Sequence, residues 1–178
     1  MNYSRHFSLL TAFAALTCVL SRISFPASLS PAFALYGGLH ATALLLSFRT
    51  PPALGRGIPF IVTAAVLSAM TFHLGILGTH LSARMPEGVG LYVVLGCASV
   101  SGALTYGLAI RMFGLYRLAA APLSMISLVC VSVSCVALYT LTRFPFLGPW
   151  WLAVLWWYAF SGGLWFCDRR REAAQFTR

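Results

Sequence analysis

Long uncharged apolar runs, separated by short segments rich in Arg, Pro and Gly, dominate the chain. The run from Ile58 to Leu81 has 24 residues without a formal charge. At 1.5 Å per residue it is long enough to cross a hydrocarbon core of about 30 Å. The pattern predicts an all-α integral membrane protein, a single domain over residues 1–178 with six transmembrane helices at 7–25, 31–48, 58–81, 89–113, 122–141 and 148–167.

The two ends of the chain need separate interpretation. Phe7 to Leu20 follows a short basic head and could be the apolar core of a secretory signal peptide. We favour a first membrane helix extended through Ile23 and Phe25, because no good A-x-A cleavage site follows. Pro26 and Pro31 then predict a short turn, since proline disfavours helix in the preceding residue. The charged tail after Cys167 is predicted to be a soluble segment too short to fold alone.

Composition and charge agree with a membrane protein. Hydrophobic residues make up 60% of the 178 residues and charged residues 8%, more apolar side chain than a soluble domain of this size buries. The net charge of +9 comes from arginines spread between the apolar runs, so it indicates membrane topology and not nucleic-acid binding.

The arginines also predict the orientation. Nine lie in the termini and in the second and fourth loops, and three lie in the other loops. Under the positive-inside rule both termini are cytoplasmic, and the expected location is the inner membrane of a bacterium. The nine are Arg5, Arg49, Arg56, Arg111, Arg117, Arg169, Arg170, Arg171 and Arg178, and the three are Arg22, Arg84 and Arg143.

Several chemistries are disfavoured by what the sequence lacks. No Asp or Glu lies within a predicted span, which argues against a coupled secondary transporter. Nucleotide, metalloprotease and nucleophile-elbow motifs are missing, so we expect no enzyme. The five cysteines form no C-x-x-C pair and fit small apolar residues, so we expect no metal and no cofactor.

Histidine is the remaining candidate for chemistry. His40 and His73 are predicted at one depth, about 12 to 14 Å below the outer surface on adjacent antiparallel helices. The pair could bind a small ligand, ligate a b-type haem, or simply be satisfied by packing. Tyr36 and Tyr106 are predicted to line the same cavity. Solvated roles are expected for His6, in the basic head, and for His80, which shares a helix face with His73.

Small residues predict helix contacts. Ser99, Ala103 and Gly107 recur every four residues along the fourth span, a ridge that lets a partner helix approach at backbone distance. Gly37 and Gly38 give the second span a similar close approach.

The first 75 residues carry a resemblance. The helix TAFAALTCVLSRISFP, a short turn, SPAFALYGGLHA, an Arg/Pro loop and a third helix resemble the start of energy-coupling-factor transporter S components. They are also similar to a small bacterial membrane family defined only as a domain of unknown function. The resemblance implies a six-helix plan with cytoplasmic ends, in which small residues of the first helix face an energising subunit. Those residues are Ala12, Ala14, Ala15 and Cys18.

The chain departs from those families at two points. It lacks a clean A-x-x-x-A in the first helix, and it has Ser68 where the uncharacterised family tends to carry an acid.

Three functions follow as hypotheses. The first is a non-enzymatic substrate-binding subunit for uptake of a small polar molecule, with other membrane subunits as partners. The second is a structural or accessory subunit of a larger membrane complex. The third is a haem-bearing membrane anchor.

Overall fold

The fold is entirely helical over the residues that the structure describes. The computed structural model describes residues 1–24, 29–48, 52–81, 85–86, 88–116, 118–144 and 150–176, and within these ranges it contains six α-helices and no strand. The helices are α1 (Tyr3–Ser24), α2 (Leu29–Leu46), α3 (Leu54–Leu81), α4 (Val89–Met112), α5 (Ala120–Arg143) and α6 (Trp150–Phe176). The predicted all-α class is confirmed.

Three of these helices are long and apolar enough to cross a membrane. They are the Leu54–Gly75 part of α3, all of α4 and all of α5, judged by length and composition over the described residues. A shorter apolar segment, Ala32–Leu46, makes up most of α2. Apolar side chains also lie exposed along α3, including Val62, Val66 and Met70, as expected for a surface that faces lipid. These features support a multi-pass membrane protein.

The largest differences from the predicted helix ends are at the starts of α1 and α3 and at the end of α6. α1 begins at Tyr3, four residues before its predicted start. α3 begins at Leu54, four residues before the predicted start, and holds Pro59 within its second turn. α6 continues to Phe176, so the segment predicted to be a separate soluble tail is helical. Its Arg, Glu and Ala residues favour helix, and the preceding turns remove the cost of nucleation.

Some predicted features lie outside the described residues. These are the end of the first span at Phe25, the turn residue Pro26, the start of the last span at residues 148–149, and Arg49, Arg84, Arg117 and Arg178.

The helices form a closed ring. Each helix packs against the next along the chain, α6 returns to pack against α1, and α2 and α6 also touch across the ring. At one end, the Asn2 amide donates to the Ser47 carbonyl (2.9 Å), and the Tyr3 and Tyr116 hydroxyls both donate to the Asp168 carboxylate. We call this the terminal end, because it brings together the beginning of α1 and the last third of α6.

Close approach between α2 and α3 depends on glycine. A Cβ atom on Gly37 would lie 2.5 Å from the Ala64 carbonyl oxygen and 2.5 Å from the Ser68 Cβ, closer than real side chains allow. The adjacent Gly38 has only ordinary contacts, 3.8 Å from Ile61 and 3.9 Å from Ala65. Gly37 therefore sets the distance between these two helices.

Candidate functional site

A cavity of about 290 Å³ lies inside the helix ring. Its walls come from α2, α3, α4 and α6, with Ser134 contributed by α5. Along α4 it extends from Leu91 to Tyr106, fifteen residues or about 22 Å. Most lining side chains are apolar, and the volume is at the lower end of the range for small-molecule sites.

Aromatic rings enclose His40 at one end of the cavity. The imidazole centroid lies 5.0 Å from that of Tyr106, and the ring stacks on Trp157 at 5.9 Å with an interplanar angle of 11°. Trp156 and Phe160 approach its edges at 5.9 and 6.0 Å. This packing holds the imidazole in one orientation.

His40 belongs to a buried chain of polar side chains. Its Nε2 lies 3.1 Å from the Ser161 Oγ, which lies 2.8 Å from the His6 Nε2. The His6 Nδ1 lies 2.9 Å from the Ser47 Oγ and 3.3 Å from the Ala43 carbonyl oxygen. All four side chains are at most 1% exposed. This chain of hydrogen bonds runs from the cavity toward the terminal end.

Two polar atoms at this end of the cavity are unsatisfied. The His40 Nδ1 and the Tyr106 hydroxyl are buried, and neither has a hydrogen-bond partner among the described residues. An unsatisfied buried polar group costs about 1–3 kcal/mol, so each favours a ligand that supplies the missing bond. His40 and Tyr106 thus both lie on the wall of this cavity.

His73 does not lie on the cavity wall with His40 and Tyr106. Its side chain is exposed and is not among the described residues that line the cavity, although the adjacent Phe72 is. A ligand or haem site shared by the two imidazoles would require both to point into the bundle, and the exposed His73 side chain does not meet this condition. His80 is exposed as well, in agreement with a helix face shared by these two residues.

The predicted equal depth of His40 and His73 is also wrong. Phe33 of α2 stacks on Phe72 of α3 with centroids 4.3 Å apart, which sets the level of His73 beside Phe33. His40 lies seven residues further along α2, about 10 Å away. The reason is that α3 extends well past the beginning of α2, so depths counted from Pro31 and Leu81 do not match.

Because His73 is exposed and at another level, the proposed His40–His73 haem site has no geometric support. Within the part of the chain that the structure describes, no group of three or more His, Cys, Asp or Glu side chains could hold a metal ion.

Tyr36 is buried but belongs to a different cluster. It packs with Leu10, Ala32 and Trp157, and its ring lies 5.5 Å from that of Phe33. Tyr36 is not among the described residues that line the cavity, so its predicted role as a wall is wrong. Its ring contacts the Trp157 ring in a T-shaped arrangement, at a centroid distance of 6.4 Å.

The sequence did not indicate His6 or Ser161. His6 was expected to be solvated, yet it is fully buried, because α1 begins at Tyr3 and its first turn packs between α2 and α6. Its partners Ser47 and Ser161 lie 41 and 155 residues away, so no local motif links them.

The ridge of small residues packs within the chain. Ser99, Ala103 and Gly107 are buried, and the Ser99 hydroxyl lies 3.0 Å from that of Ser134 on α5. A Cβ on Gly107 would clash with Leu123 of α5. This ridge contacts a partner helix of the same molecule.

The small residues of α1 are divided between two environments. Ala12 and Ala15 are exposed, whereas Ala14 is partly buried and packs on the cluster that contains Tyr36. Cys18 is also partly buried. Only part of the surface that the resemblance assigns to an energising subunit is therefore exposed.

The comparisons with known proteins add no assignment. No family model, no curated protein and no solved structure matches this chain, so the resemblance to S components stays a prediction.

Proposed function

We propose that this chain is a non-enzymatic membrane protein that binds a small molecule in the cavity inside its helix ring, as the binding subunit of an uptake system. The observation that carries the proposal is the cavity of about 290 Å³ with the unsatisfied His40 Nδ1 and Tyr106 hydroxyl at one end. A bound molecule with a polar group there would satisfy both atoms.

The lining of the cavity restricts the kind of ligand that can bind there. Its lining is mostly apolar, and the rings of Tyr106, Trp156 and Trp157 surround the polar end. A mainly apolar or aromatic molecule with one polar end therefore fits better than the small polar molecule expected from the sequence.

We further propose that all six helices cross the membrane with both termini in the cytoplasm. The three long apolar helices support crossing, and α1, α2 and α6 complete the ring with them. The contact of Tyr3 with Asp168 supports termini on one side, and the arginine distribution supports the cytoplasm.

Partner subunits remain part of the proposal. The exposed Ala12 and Ala15 on α1 support a helix contact with another subunit, as the resemblance to S components implies. The same exposed surface favours the second candidate function, an accessory subunit of a larger membrane complex.

The test is to identify what the purified protein carries. The full chain is purified in a mild detergent, denatured, and its released small molecules are measured by mass spectrometry. In Gly75→Leu, a larger side chain enters the cavity from α3, where the Gly75 Cβ position has only an ordinary 3.9 Å contact with Ala98. We expect a released compound in the wild type and at least about a fivefold reduction in this variant.

Gly162→Leu is the matched control. Gly162 is a helical glycine with open space at its Cβ, and it is not among the described residues that line the cavity. It should release as much compound as the wild type. Equal release from both variants, or no released compound from the wild type, would contradict ligand binding and favour the accessory subunit, while a Soret band from the same sample would favour the haem anchor.

A further inference from the structure

We infer that the cavity selects ligands that donate a hydrogen bond, an N–H or O–H group, to the His40 Nδ1. The inference rests on the proposed binding function and adds the chemical class of the ligand. The buried side chains behind His40 together determine which of its two nitrogens carries the proton.

The chain of hydrogen bonds begins at a group that can only accept. The Ser47 hydroxyl donates its one proton to the Ala43 carbonyl oxygen. The His6 Nδ1 lies near both oxygens, 2.9 Å from the Ser47 Oγ and 3.3 Å from the Ala43 oxygen. Without a proton on this nitrogen, its lone pair would face the lone pairs of the carbonyl. The His6 Nδ1 is therefore the protonated nitrogen.

The remaining assignments follow in order. A neutral His6 with its proton on Nδ1 has an accepting Nε2, so the Ser161 hydroxyl donates to it across 2.8 Å. The Ser161 Oγ has then used its only proton, and it accepts from the His40 Nε2 across 3.1 Å. With its proton on Nε2, the neutral His40 ring presents a lone pair on Nδ1.

The lone pair of the His40 Nδ1 is the part of this chain that is left for a ligand. A donor on the ligand completes the bond, while an ether oxygen or another acceptor would place two lone pairs together. The Tyr106 hydroxyl can either donate or accept, so it does not restrict the ligand in this way. Reversing the chain to suit an acceptor would turn the Ser47 proton from the Ala43 carbonyl to the His6 Nδ1. It would also leave the lone pair of that nitrogen facing the carbonyl oxygen at 3.3 Å, which is unfavourable.

The first test determines directly which imidazole nitrogens are protonated. Full-length protein with ¹⁵N-labelled histidine is placed in lipid nanodiscs, and ¹⁵N NMR distinguishes protonated from unprotonated ring nitrogens. His6 and His40 are assigned in a His73→Gln, His80→Gln background, since both replaced side chains are exposed. We expect the proton on Nδ1 of His6 and on Nε2 of His40. A proton on the His40 Nδ1 would overturn the inference.

The second test compares two probes of nearly the same shape. Indole offers an N–H donor where benzofuran has only an accepting oxygen. We expect indole to bind the wild type about tenfold or more tightly than benzofuran in ligand-observed NMR, with Gly75→Leu as the cavity-blocked reference. Equal binding of the two probes to the cavity would overturn the inference.

Ser161→Ala should reduce the preference for indole, because the proton of His40 is then no longer fixed. Ser132→Ala is the matched control, since Ser132 is exposed and, among the described residues, its hydroxyl bonds to the Leu128 carbonyl of its own helix. Failure of the proposed function gives a different result. Each probe would then bind equally to the wild type and to Gly75→Leu, and the position of the His40 proton would be decided by the ¹⁵N spectra alone.

Discussion

The Tyr106 hydroxyl is a buried group whose benefit depends on a ligand. The Tyr106 ring packs against α2, α3 and α6, and its hydroxyl is buried with no partner among the described residues. Tyr106→Phe should leave the ligand-free protein as stable as the wild type or stabilise it by up to about 2 kcal/mol, because it removes an unsatisfied polar atom. It should also lower the amount of compound that co-purifies. Thermal unfolding of ligand-stripped protein in detergent measures the first effect.

Tyr158→Phe provides the opposite case. The Tyr158 hydroxyl lies 2.6 Å from the Thr11 Oγ1, so its loss should destabilise the protein by about 0.5–1.5 kcal/mol. If Tyr106→Phe destabilised the ligand-free protein as much as Tyr158→Phe, the Tyr106 hydroxyl would have a protein partner and the proposed site would lose one of its two anchors.

At the scale of residues, the sequence predicted whether a residue lies in a membrane helix better than it predicted the direction in which the side chain points. His40 and Tyr106 lie in long apolar runs, so their burial was predictable. His73 lies in a similar run, but nine residues at about 100° each place it about 180° around α3 from the buried Ala64. Since α3 is apolar on nearly every side, no polar stripe marked which side faces outward.

The α2–α3 pair is the element whose geometry depends most on a single position. Gly37→Ala would place a methyl group against the Ala64 carbonyl, so the two helices must separate. We expect a loss of about 1–3 kcal/mol, measured as a lower midpoint of thermal unfolding in detergent. Phe33 and Phe72 would also lose their 4.3 Å stacking.

Gly38→Ala is the control for this prediction, one residue away in the same helix. Its added methyl group meets only ordinary contacts, and alanine favours helix over glycine, so stability should be unchanged or slightly higher. An equal loss in both variants would show that the close approach at Gly37 does not determine how α2 and α3 pack.

The presence of each helix was predictable from the sequence, but the position of one helix along its neighbour was not. Each of the six apolar runs forms a helix because such runs with Arg, Pro and Gly between them leave few alternatives. The relative shift of α2 and α3 depends on which side chains interlock, here Phe33 with Phe72 and Gly37 with Ala64. That information is spread over two helices, so counting residues from the predicted ends could not provide it.

The whole molecule should have its termini in the cytoplasm. Green fluorescent protein fused after Arg178 is expected to fluoresce in a bacterial host, and alkaline phosphatase at the same point should be inactive, because that enzyme needs the oxidising periplasm. Alkaline phosphatase fused after Pro86, in the segment between α3 and α4, should be active. The reversed pattern would contradict the proposed orientation.

The closed ring also has a consequence for the time course of biosynthesis. α1 is the first helix to leave the ribosome, yet the Ser161 partner of His6 is 155 residues later and the Asp168 partner of Tyr3 is 165 residues later. At about 5–20 residues per second, roughly 8–30 s pass between the synthesis of His6 and that of Ser161. During this interval the insertion machinery must hold a helix whose buried imidazole still lacks its second partner. The nascent chain can therefore complete its assembly only after translation has nearly finished.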